Sequence, residues 1–259
     1  MDAETVFDII NPDGQFPLVL SCEHASYAVP AEYSNLGLSE HDLRRHIGWD
    51  IGARAVLEIV AQTLDAPAVC SGYSRLLIDC NRDLQDDDLI IKESDGTVIP
   101  GNAHVSSAER QKRLSQFYYP YHAAIDRMIE QMVTQKGADS VRLLSLHSFT
   151  AAMRGQDRPQ EKLQERSFDI GILFDRYADL ATDLGQRLQS ESGYRVRHNE
   201  PYSGYDGLIF SARSHGDRHR LVYLELEMNN SLLTRPDEID KMGKTISQVC
   251  MALFSDENR

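Results

Sequence analysis

Phe16-Pro-Leu-Val-Leu-Ser-Cys-Glu-His24-Ala-Ser26 is an apolar run that ends on an acid and a histidine. A short apolar run of this kind reads as a buried strand. Open α/β sheets bind their ligands outside the carboxyl ends of such strands, so His24 is expected to emerge where a ligand would sit. A second run, Val141-Arg-Leu-Leu-Ser-Leu-His147-Ser-Phe149, repeats the pattern with its own histidine. Two imidazoles at two strand ends mark the place where a metal site would be built.

Working outward, strand-like segments near 16–22, 67–71, 75–80, 141–147, 168–174, 194–198 and 221–227 alternate with stretches of helical periodicity. That order predicts an α/β layered domain, a sheet covered by helices on both faces. From Asp50 to Leu64, the residues Ile51, Val56, Leu57, Ile59, Val60 and Leu64 form one stripe, so this stretch reads as an amphipathic helix. Ser106-Ser-Ala-Glu109 forms a capping box for a helix expected to run to Lys136, kinked or interrupted at Pro120. The last helix is expected to open at Thr234-Arg-Pro-Asp237, with a capping threonine and an early proline, and to continue to about Phe254. The polar stretch Met153 to Arg166 reads as an exposed loop able to border or cover a site.

Composition narrows the function. The 259 residues fit one α/β domain spanning 1–259, and 41% hydrophobic with 26% charged residues is ordinary for a soluble protein. No apolar stretch approaches the roughly 20 residues that span a bilayer. The start Met1-Asp-Ala-Glu4 is acidic with no apolar region behind it, so a cytoplasmic location is expected and a membrane is not. A net charge of -13 disfavours nucleic acid, whose binding needs a basic surface. Cys22, Cys70, Cys80 and Cys250 are widely spaced without a CxxC pair, and most are expected to be reduced core residues.

Two further segments carry chemistry. In Tyr73-Ser-Arg-Leu-Leu-Ile-Asp-Cys-Asn-Arg-Asp83, Arg75, Asp79, Asn81 and Arg82 punctuate an apolar run. Arginine offers a planar fork of donors suited to a carboxylate, although a surface Arg–Asp ion pair would leave the same pattern. In Leu221-Val-Tyr-Leu-Glu225-Leu-Glu227-Met-Asn-Asn230, alternation puts Glu225 and Glu227 on one face with the leucines opposite. Such glutamates either face solvent from an edge strand or, if buried, need a partner or a task. His41, His46, His104, His122, His198, His215 and His219 lie in no comparable setting and are assigned no metal role.

Cys22-Glu-His24-Ala-Ser, Gly48-Trp-Asp50, Ser74-Arg75 with Asp79-Cys-Asn81-Arg82, Tyr118-Tyr-Pro-Tyr-His122, Leu146-His147-Ser148, Asn199-Glu-Pro-Tyr202-Ser-Gly204 and Glu227-Met-Asn229 together resemble the N-formylglutamate amidohydrolase family, in its order, from about residue 16 to 235. That family is similar to the zinc carboxypeptidases and aspartoacylases. The resemblance implies a three-layer α/β/α fold with a central mixed sheet, zinc-carboxypeptidase-like (phosphorylase/hydrolase-like), and one zinc ion at the sheet's end. It implies that His24 and His147 are zinc ligands and that Asp50 supplies the carboxylate, with Glu23 as the rival. Three protein ligands and an open fourth position suit a catalytic zinc. Iron or cobalt is an alternative ion.

By the same resemblance Glu227 is the general base and acid, and Asn81 and Arg82 grip a substrate carboxylate. Arg75 polarises the scissile carbonyl or binds a second carboxylate, and Tyr202 closes over the substrate. The expected activity is metal-dependent hydrolysis of the amide bond of a small N-acyl amino acid, N-formyl-L-glutamate by analogy. Two alternatives are a cysteine amidase with Cys22 as nucleophile and a catalytically silent small-molecule-binding relative. The sequence departs from the carboxypeptidase His-x-x-Glu pair, because Tyr27 stands three residues after His24. Oligomeric state is not legible.

Overall fold

In the computed structural model, which describes residues 5–153 and 164–255, seven strands form one mixed sheet. They are β1 (Phe7–Ile10), β2 (Leu18–Cys22), β3 (Ala68–Ser71), β4 (Arg142–Phe149), β5 (Ile170–Leu173), β6 (Val196–His198) and β7 (Val222–Asn229). Their spatial order is β1-β3-β2-β4-β7-β5-β6. The central four, β3, β2, β4 and β7, run parallel, whereas β1 pairs antiparallel with β3 and β5 antiparallel with β7. The chain moves from β2 to β3 on one side and later places β4 on the other. The crevice outside the carboxyl ends of β2 and β4 is therefore a topological switch point, where such sheets bind ligands.

Helices cover both faces. On one side lie α1 (Ala53–Leu64), α3 (Ala178–Ser192) and α5 (Pro236–Phe254), packed on Leu18, Leu20, Cys22, Leu144, Leu146, Leu224, Leu226 and Met228. On the other lie α2 (Tyr119–Lys136) and α4 (Phe210–His219), packed with the buried residues of segment 73–99 on Val19, Leu143, Leu173 and Tyr223. Each fully buried Leu, Val or Ile contributes roughly 1.5–3 kcal/mol, so both faces of β4 and β7 are held by apolar packing. Gly216 of α4 is required for this, since a Cβ there would stand 2.1 Å from the Tyr223 ring.

Several expectations shift in detail. The run at 75–80 is a buried loop instead of a strand: Leu77 N donates to Ser74 O at 2.9 Å, and the carbonyls of Leu76 and Leu77 accept from Asn102 Nδ2 and Arg113 Nη1. Burial made the run apolar, and side chains supply the hydrogen bonds that a ladder would have supplied. The expected helix from Ser106 does open on that cap, Ser106 Oγ accepting from Glu109 N. It passes into a π turn over Leu114–Tyr118 before α2 begins, just ahead of Pro120, which cannot donate to an i−4 carbonyl.

Helix α1 starts at Ala53, three residues later than the stripe predicted. Gly52 ahead of it takes φ +84° against Leu233, which frees Asp50 to turn away. Helix α5 is preceded by Arg235 and carries Pro236 in its first turn, while Thr234 Oγ1 faces Glu238 instead of capping. Edge strand β1 was not foreseen. Among the described residues no helix is long and apolar enough to cross a membrane.

Candidate active site

At the end of β2 the chain turns immediately after Cys22, so Glu23 and His24 both reach the crevice. Asp50 arrives from the loop before α1, its backbone N–H donating to His24 O at 2.9 Å. His147 projects from β4 beside Glu227 of β7, its register partner. His24, Asp50 and His147 are all buried, and one ligand-type atom from each lies within 4.8 Å of the others. His24 Nδ1 is 3.4 Å from Asp50 Oδ2, and His147 Nδ1 is 2.7 Å from the same oxygen.

Each imidazole is clamped from behind. His24 Nε2 lies 2.7 Å from Asp79 Oδ1, and His147 Nε2 lies 2.9 Å from Glu23 Oε2. Those carboxylates are positioned in turn: Asp79 Oδ1 accepts from Asn81 N, while Glu23 accepts from Tyr121 Oη at 3.2 Å and from Ser145 Oγ. A carboxylate that accepts a hydrogen bond from Nε2–H fixes the proton there and leaves Nδ1 bare and aimed, as metal-ligating histidines require. Glu23 thus stands on the far side of the His147 ring from Asp50. Asp50 Oδ2 also accepts from Ser148 N at 3.2 Å.

Arg75 bridges two carboxylates, with Nη1 3.4 Å from Asp50 Oδ1 and Nη2 3.0 Å from Asp79 Oδ2. Five buried carboxyls, Glu23, Asp50, Asp79, Glu225 and Glu227, face two imidazoles and this one guanidinium. Burial disfavours charge on Asp50 and Asp79, yet adjacent His24, joined by His147 at Asp50 and Arg75 at Asp79, holds both carboxyls below the usual range. Burial disfavours charge on Glu23 too, but the His147 hydrogen bond holds it low.

The two strand glutamates behave oppositely. Burial pushes Glu225 up to about 7 against the pull of His147, and burial, opposed by His147 and reinforced by Asp50 and Glu225, pushes Glu227 well above the carboxylate range. Both lie on the inner face of a central strand, so the solvent-edge alternative fails. Glu227 Oε2 and His24 Nδ1 are buried without a hydrogen-bond partner. An unmet buried polar atom costs about 1–3 kcal/mol, which a cation and a polar substrate would offset. Two nitrogens and a carboxylate oxygen form a donor set that zinc accepts, so these residues fit the ion.

The remaining sequence candidates fall around this group. Asn81 lies beside it with its amide engaged: Oδ1 accepts from Ser211 N, and Nδ2 faces Leu208 O and Glu225 Oε2, each at 3.4 Å. That use as a brace between loop and α4 leaves little of the amide for a substrate carboxylate. Arg82 is half-buried and contributes to the field at Asp79.

Tyr202 lies in the loop that crosses Gly171, where a Cβ would stand 2.0 Å from Glu200 O and 3.4 Å from Glu227 Cβ. Asn199 Oδ1 ties this loop at both ends, accepting from Phe174 N and Gly204 N. Burial followed by Glu227 raises the Tyr202 phenol, and Arg166 sits 5.6 Å over its ring. The expected covering loop falls largely on residues 154–163, outside the described residues; Arg166 at its end does border Tyr202.

Cys22 faces the opposite helix layer, and burial pushes its thiol well above the ordinary value, which removes the support for a cysteine nucleophile. The residues that sequence reading left out of the site are Ser145, Tyr121 and Arg166. The sequence pattern marks Asp79 only as an ion-pair partner. The signal for it was the Arg75-to-Asp79 spacing, and for Ser145 its place two residues before His147 on the same strand face.

Comparison with known proteins places the chain. The family model for N-formylglutamate amidohydrolase matches residues 16–234. The crystal structure of gene product Atu2144 from Agrobacterium tumefaciens is 28% identical, covers 98% of each chain and superposes with a TM-score of 0.86. An N-formylglutamate amidohydrolase from Ralstonia eutropha JMP134 is 23% identical, with 95% of this chain and 96% of that one covered, and a TM-score of 0.73. Comparison with curated protein sequences returned no match. With most of its length in register with the family model, the chain belongs to the N-formylglutamate amidohydrolase family.

Proposed function

We propose that the protein hydrolyses the amide bond of a small N-acyl amino acid, N-formyl-L-glutamate by family membership, with a divalent ion held by His24, Asp50 and His147. The observation that carries this is the paired clamp: two buried imidazoles present Nδ1 toward one carboxylate oxygen while each Nε2 is held by a second carboxylate. A zinc ion there supplies Lewis acidity, activating water and polarising the acyl carbonyl.

The chain's own residues do the rest. Glu227, buried and without a hydrogen-bond partner on Oε2, takes the proton of the attacking water and delivers it to the departing amine nitrogen. Its raised proton affinity suits both roles, because a group that ionises too easily cannot return the proton. Arg75 uses two of its five donors on Asp50 and Asp79, and the others can steady charge developing on the carbonyl oxygen. Together with a bound ion, Arg82 and Arg75 would give an acidic protein a locally positive mouth for an anionic substrate. Tyr202 closes over the substrate. The products are formate and L-glutamate.

The test is formate release from a panel of N-formyl and N-acyl amino acids, run with the ion present, after chelation and after its return. N-formyl-L-glutamate is expected to turn over fastest, with activity lost to the chelator and restored by zinc. Chelator-resistant turnover abolished by thiol alkylation would reverse the reading. Binding across the panel with no turnover would favour the silent relative.

A further inference from the structure

We propose that Asp126, His215 and His219 form a second divalent-cation site of zinc-type chemistry, joining α2 to α4 away from the catalytic group. His215 and His219 are four residues apart on α4 and so share one helix face. Asp126 reaches them from α2. Its Oδ1 lies 2.7 Å from His215 Nδ1 and 2.8 Å from His219 Nε2, and the three ligand-type atoms fall within 4.8 Å of one another.

The surroundings resemble those of a built ligand set. Asp126 Oδ2 is held by Arg218, which turns Oδ1 toward both imidazoles. His215 Nε2 lies 2.8 Å from His122 Nδ1, a partner that can accept a hydrogen bond from Nε2–H and leave Nδ1 for an ion. Outer partners of this kind orient ligands and set their tautomers. Ion binding here moves protons without consuming any. His215 shifts its proton from Nδ1 to Nε2, His122 carries its own on Nε2, which has no other partner, and His219 shifts to its other nitrogen.

His215 is fully buried, whereas the side chains of Asp126 and His219 are 21% and 14% exposed, so an ion can enter and keep water. Two nitrogens and one carboxylate oxygen suit zinc. Because Arg218 already offsets Asp126, this site binds more weakly than the acid-rich group at the strand ends.

The experiment is zinc titration of tag-free, chelator-stripped full-length protein by equilibrium dialysis, alongside thermal melting and formate release. Wild type is expected to take up two equivalents, one tight and one weaker. His219→Ala, a change at a partly exposed position, is expected to lose the weaker equivalent and the melting-temperature rise that accompanies it, with formate release unchanged. His147→Ala is expected to keep the weaker equivalent and lose the tight one. Equal zinc uptake and equal melting shifts in wild type and His219→Ala would overturn the second site and leave the catalytic reading untouched. Loss of the sole equivalent in His219→Ala, with turnover intact, would uphold the second site and remove the metal from the catalytic one.

Discussion

Two groups of histidine and carboxylate differ in what surrounds them. At the strand ends, two imidazoles and Arg75 face five buried carboxyls, one of which has an oxygen with no partner. Between α2 and α4, one carboxylate meets two imidazoles and a guanidinium, and both of its oxygens lie against nitrogens. Buried acid in excess demands a cation, and an unpartnered acid beside it can move protons. A balanced cluster can bind an ion or staple two helices, but it holds no free acid to do chemistry. Histidine and acid at ligand spacing therefore make a candidate metal site in both places and, on the function proposed above, a catalyst in only one.

The sharpest way to break that contrast is His147→Ala. It should cost one metal equivalent per chain and all measurable formate release; an undiminished metal content would show that the strand-end group is no ligand set. Glu227→Gln comes next. Turnover should fall by about 10²–10⁴-fold, the usual worth of a general acid–base group, with metal content unchanged. Parallel loss of the ion would make Glu227 a ligand instead.

Asp79→Asn probes the clamp behind His24. Metal affinity should weaken by about 10–100-fold, as when other outer partners are removed, and added zinc should restore turnover. Insensitivity of zinc affinity to this change would mean that the Asp79 contact with His24 is incidental.

The smallest effect on turnover, none, is expected for Asp126→Asn, which acts on stability. Although burial disfavours its charge, hydrogen bonds from His215 and His219 hold Asp126 below the usual carboxylate range. The folded protein then binds fewer protons than the unfolded chain, so this contribution is full above about pH 4 and is lost as pH falls. In chelator, urea unfolding of wild type and the variant should differ at pH 7, and the gap should narrow progressively below about pH 4. A constant gap would assign the effect to packing.

Much of the active group was legible because its signals are local. His24 and His147 close apolar runs, and period-2 alternation set Glu225 and Glu227 on one face. Asp50 was carried over by the family resemblance. The choice between Asp50 and Glu23 was not legible, since it turned on which side of the His147 ring each carboxylate reaches. The loop at 75–80 misled because a buried loop whose carbonyls are met by Asn102 and Arg113 is as apolar as a strand. His215 and His219 receive no metal role from the sequence although their four-residue spacing is visible, because the third member, Asp126, lies about ninety residues earlier.

By itself, then, the sequence determined the strand and helix periods, the chemistry stationed at the strand ends and the family. Those depend on neighbours within a few residues. The tertiary structure decided which nitrogen meets which oxygen, which acid stands between the two Nδ1 atoms and which behind a ring, and that Asp126, His215 and His219 come together at all. These are contacts across tens to hundreds of residues, set by how layers pack, and no local period encodes them.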